Sequence, residues 1–87
     1  MFVPYMTLPD YLEIVHSIKA AETDPIIVHC EQPDEHDFKV AEINLDNMSV
    51  ISRVGFTEPE MDFLLGFCRN NRESIIKYEK IGGVYNA

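Results

Sequence analysis

The chain has no tryptophan, four glycines, two cysteines and seven basic residues in 87 positions, and each shortage excludes something. Seven bases against fifteen acids leave a formal charge of -8, which repels phosphate backbones and anionic bilayers and argues against nucleic-acid and membrane partners. The glycines Gly55, Gly66, Gly82 and Gly83 do not form a phosphate-cradling loop. Cys30 and Cys68 make no CxxC pair; in a reducing compartment they read as small buried hydrophobes rather than a disulfide. No apolar run approaches the ~20 residues that span a bilayer. The opening Met1-Phe2-Val3-Pro4-Tyr5-Met6 has neither a cationic flank nor an apolar h-region. The expected location is cytoplasmic, and no cofactor or metal is implied.

The content that remains is that of one small folded domain over residues 1–87. Apolar residues make up 46% of the chain, including five Phe and four Tyr, which is ample for a core and too high for disorder. The charge is uneven. Residues 63–87 hold two acids, Glu73 and Glu79, against Arg69, Arg72, Lys77 and Lys80, so an acidic body carries a mildly basic end.

Thr7-Leu8-Pro9-Asp10 offers a capping hydroxyl, a proline in the first turn and a carboxylate three residues on, which predicts a helix start. Leu8, Tyr11, Leu12, Val15 and Ile18 then follow at steps of three and four, and Pro25 predicts an end near Glu22. Next, Ile26 to Glu31 is short and β-branched and reads as a strand, with Gln32-Pro33-Asp34-Glu35 as its turn. A return strand is expected from Phe38 to Leu45, with a bulge near Ala41 where the apolar parity changes. A third runs from Met48 to Val54. Phe56-Thr57-Glu58-Pro59-Glu60-Met61 then combines an N-cap, a first-turn proline, a capping-box glutamate and a hydrophobic staple. The helix it opens carries Met61, Leu64, Leu65, Cys68, Ile75 and Ile76 toward a stop at Gly82-Gly83, and Gly66 and Asn70-Asn71 mark where it would kink. The tail, Val84 to Ala87, is expected to fray. The expected fold is therefore α+β, α-β-β-β-α: a three-stranded antiparallel meander with an N-terminal helix and a long C-terminal one.

One polar concentration stands out. His29, Cys30 and Glu31 precede Asp34, Glu35, His36 and Asp37 around a single hairpin. If His29 and His36 faced one another they could serve a metal or acid/base site, although their spacing matches no zinc signature. The plainer reading is a half-exposed strand histidine and a solvated turn. Nothing in the local sequence pairs Cys30 or Cys68 with His16, His29 or His36 as a nucleophile and base. On the C-terminal helix, Phe63 and Phe67 with Arg69 and Arg72 form the candidate partner-binding set, because aromatics and arginine dominate binding hot spots. An arc that wide exceeds what three strands cover, so a protein partner or a homodimer would bury the excess.

From Val28 onward the chain resembles an uncharacterised family of short bacterial proteins. The residues that carry the resemblance are Val28-His29-Cys30-Glu31, Gly55-Phe56-Thr57-Glu58-Pro59-Glu60, Asn71-Arg72-Glu73, Tyr78 and Gly82. The family has His-Val-His where this chain has His29-Cys30-Glu31, and tryptophan in place of Tyr78, and it opens on strands. The resemblance implies a small cytoplasmic component, in some cases like parts of toxin-antitoxin gene pairs, and implies no activity. The leading expectation is a non-catalytic protein-interaction or regulatory module of bacterial or phage type. A small enzyme or metal-assisted hydrolase built on His29 and His36 is the alternative. A third reading is an acidic inhibitor that mimics nucleic acid through Glu31, Asp34, Glu35 and Asp37.

Overall fold

The computed structural model describes residues 1–82. Five strands form one antiparallel sheet in sequence order: β1 (Phe2–Leu8), β2 (Leu12–Ser17), β3 (Ile27–Pro33), β4 (Phe38–Asn44) and β5 (Ser49–Val54). A single helix, α1 (Glu58–Lys80), covers one face. The order is β-β-β-β-β-α, so the expected N-terminal helix and three-stranded meander are both corrected.

The residues expected to form that helix make a hairpin instead. Pro9–Tyr11 is a tight turn in which Asp10 (φ 63°, ψ 31°) and Tyr11 (φ 60°) adopt left-handed conformations, reversing the chain. Thr7 caps nothing, because it lies inside β1 and pairs with Glu13. Beyond the turn, Leu12, Ile14 and His16 are buried while Glu13 is exposed, a period of two that wins over the steps of three and four. The deciding factor is tertiary: as a strand, this segment completes the sheet between β1 and β3.

The later strands lie close to where the pattern placed them, except that Gln32 and Pro33, expected in the turn, extend β3 and pair with Lys39 and Phe38. In β4, Ala41 and Ile43 face the helix and are fully buried, while Phe38 and Val40 lie on the other face. The bulge expected in β4 near Ala41 lies instead in the strand opposite. The irregularity comes where Glu42 pairs Ser52 and Ile43 pairs Val50, which makes Ile51 of β5 the additional residue.

The start of α1 follows the capping chemistry. The Glu60 amide donates to Thr57 Oγ1 at 3.4 Å, and the Thr57 amide donates to Glu60 Oε1 at 2.8 Å. Phe56 and Met61, the staple pair, are both buried in the core. Lys39 Nζ donates to Glu60 Oε2 at 2.7 Å and lies over the Phe56 ring, and Arg53 donates to the Phe56 carbonyl and to Glu58. Gly55 makes the approach possible: its φ is +87°, and a Cβ there would meet Lys39 Cγ at 2.8 Å.

The helix runs without interruption through Gly66, Asn70 and Asn71. Its buried residues Met61, Leu64, Cys68 and Ile75 pack against Leu12, Ile14, Val28, Cys30, Ala41 and Ile43. Gly82 is left-handed (φ +79°) after the last turn, and its amide donates to the Glu79 carbonyl. The expectations for Gly83 and the tail fall outside the described residues. Among the described residues no helix is long and apolar enough to cross a membrane.

Candidate functional site

One face of the sheet lies under α1; among the described residues no element covers the other, the open face. Cross-strand partners point to the same face, so the register identifies the open side. One row runs Pro4, Val15, His29, Glu42 and Ser52, and the next Thr7, Glu13, Glu31, Val40 and Val54.

Charge divides unevenly between the two faces. The strands contain two cations, Lys39 and Arg53, and both engage the start of α1 on the helix side. The open face carries Glu13, Glu31 and Glu42 and, among the described residues of the strands, no lysine or arginine. Phe2, Phe38 and Val54 lie around these carboxylates with about half or more of their surface exposed.

His29 sits at the centre. Its Nδ1 lies 3.0 Å from Glu42 Oε2 and its Nε2 lies 3.3 Å from Glu31 Oε1. An ionised carboxylate only accepts, so both contacts are hydrogen bonds only when the ring carries both protons. The Phe2 ring packs against the imidazole with 5.8 Å between centroids. Three carboxylates against a single imidazole keep this face acidic in either state of the ring.

The hairpin does not bring His29 and His36 together. His29 pairs with Glu42 across the strands, whereas His36 lies in the exposed turn between β3 and β4. That turn is closed by the Asp34 amide donating to the Asp37 carbonyl and by the Asp34 and Asp37 carboxylates capping the next amides. Among the described residues no three His, Cys, Asp or Glu side chains are grouped to hold a metal ion.

Cys30 and Cys68 are unpaired and fully buried on the helix side. Burial pushes the Cys30 thiol up to about 12, with a smaller contribution from repulsion by Cys68, and pushes Cys68 up to about 11. Such thiols are poor nucleophiles at neutral pH. His16 is fully buried as well. Its Nδ1 lies 3.0 Å from the Ser17 carbonyl, and its Nε2 has no partner among the described residues. Tyr5 packs edge-on against the ring, and its hydroxyl donates to Asn71 Oδ1 of α1 at 2.9 Å.

The four helix residues singled out from the sequence do not form one patch. At about 100° per residue, Phe63 and Phe67 fall on one flank of the buried arc and Arg69 and Arg72 on the other. Phe67 packs edge-on against Tyr5, while Arg72 Nε donates to the Leu45 carbonyl at 3.2 Å. Arg69 is exposed. Phe63, 56% exposed, stands at the lip of an apolar cleft of about 410 Å³ formed with Leu8, Leu12, Phe56 and Leu64. Sequence reasoning missed the open face because β2 was read as a helix and most of β1 was assigned to no element; the signal that could have found it is the run Glu13, Glu31 and Glu42 on strands without an outward cation.

Compared with known proteins, the chain matches no family model, no curated protein and no solved structure. Its role is therefore read from its own geometry.

Proposed function

We propose that this protein is a non-catalytic interaction module that binds a protein partner presenting lysine or arginine among apolar side chains, using the open face of its sheet. One observation carries this reading: among the described residues of the strands, Glu13, Glu31 and Glu42 share that face with a single imidazole and no lysine or arginine, while both strand cations are on the other side. A surface with one sign of charge and exposed aromatic groups at its edges favours a partner of opposite sign and disfavours a second copy of the same face. His29, held between Glu31 and Glu42, fixes where these carboxylates point.

The test uses the tagged full chain to recover partners from the source cells, followed by titration of each purified partner at low and high salt. The Glu31→Lys, Glu42→Lys double variant is expected to weaken binding at least about tenfold, equal to ~1.4 kcal/mol, and high salt to weaken the wild type. Phe63→Ala and Arg69→Ala should leave affinity unchanged. A partner lost on Phe63→Ala and kept by the double variant would transfer the function to the helix cleft.

A further inference from the structure

The two edges of the sheet differ. Each carries one extra residue, Tyr5 in β1 and Ile51 in β5, but only the β1 edge holds a proline, Pro4, which has no amide to offer. The β5 edge has neither a proline nor an acidic residue, and its extra residue, Ile51, is half exposed. Val50 shares the helix-side face with the fully buried Ile43, yet it is 44% exposed because β5 overhangs the core. Val54 lies on the open face with Val40 and is 63% exposed. The only charged group of the strand, Arg53, is engaged by Glu58 and the Phe56 carbonyl.

From these features we infer that β5 is a self-association edge, pairing antiparallel with β5 of a second copy so that one sheet runs through both chains. The occupant is argued from charge. In a chain of net charge -8, contact between copies is opposed over most of the surface, and β5 combines the absence of carboxylates with unpaired backbone groups and exposed β-branched side chains. An antiparallel edge pair is self-complementary about a two-fold axis perpendicular to the sheet. That axis places both helices on one side and both acidic faces on the other, so the dimer presents a doubled acidic surface. Edge pairing also covers apolar groups on the two faces of the strand at once.

Sedimentation or light scattering of the full chain from ~10 µM to ~1 mM is expected to show a rise toward twice the monomer mass. Ile51→Lys and Val54→Lys, whose side chains are exposed in the monomer, should abolish that rise while circular dichroism and melting temperature stay near wild type. Met6→Lys on the β1 edge should leave it intact. Amide exchange of the wild-type chain gives a second measurement that needs no variant: amides of Ser49–Val54 should slow as concentration increases. A monomer at every concentration, a dimer that survives both lysine variants, a dimer broken by Met6→Lys, or exchange in β5 independent of concentration would each overturn the inference. The carboxylates tested for partner binding are unaltered in these variants, so failure here is distinct from failure of the cationic-partner reading.

Discussion

Two buried cysteines and one buried histidine set much of the chemistry at the level of single residues. Cys30 and Cys68 keep their protons in the folded chain up to about 12 and about 11, against an ordinary value of 9.0. Their folded values are raised, so the stability they contribute is fully present below pH 9.0 and is lost as pH rises through the folded values. Denaturant unfolding at a series of pH values should give a free energy that falls above 9.0, with a shallower fall in a Cys30→Ala, Cys68→Ala variant. His16 is a different case. Its Nε2 is buried without a partner among the described residues, and an orphaned acceptor costs about 1–3 kcal/mol. His16→Leu is therefore expected to be neutral or stabilising in urea unfolding, whereas His16→Ala, which leaves a hole beside Tyr5, should destabilise.

At the scale of elements, the capping box at Thr57 is the point where sequence and structure agree most closely. Thr57→Ala removes the hydroxyl that accepts from the Glu60 amide and is expected to cost about 1 kcal/mol, read as a lower urea midpoint with an unchanged slope. The residues of that box work locally, which is why they could be read from the sequence. β3, β4 and β5 were legible for a similar reason, since Ile26 to Glu31 is β-branched and bounded by turns, and its partner strands follow in a meander. Thr7-Leu8-Pro9-Asp10 shows the limit. It has the same cap grammar as Thr57-Glu58-Pro59-Glu60, but left-handed Asp10 and Tyr11 turn it into a hairpin, and the choice depends on the vacant edge of β3. The better local signal was the alternation Leu12, Ile14, His16, backed by the β-branched Ile14 and Val15.

For the whole molecule, five strands rather than three change what the helix has to do. The sheet now covers Met61, Leu64, Cys68 and Ile75, so the apolar arc that suggested a partner along α1 is mostly used inside the fold. Among the described residues, the surface left without a cover is the far side of the sheet. Its acidity is legible only once β2 is recognised as a strand, because it depends on register: Glu13, Glu31 and Glu42 are far apart in the chain and are gathered only by the pairing of β2, β3 and β4. Register also sends Lys39 and Arg53 to the opposite side, where they tie the sheet to the helix start. This separation of sign across one sheet is what supports an interaction role.

The central claim is best tested by isothermal titration of a partner recovered with the wild-type chain against three proteins: wild type, Glu31→Lys with Glu42→Lys, and Phe63→Ala. The open face as binding surface predicts salt-sensitive wild-type binding, at least about a tenfold loss for the double variant, and no change for Phe63→Ala. Undiminished affinity in the double variant would contradict it.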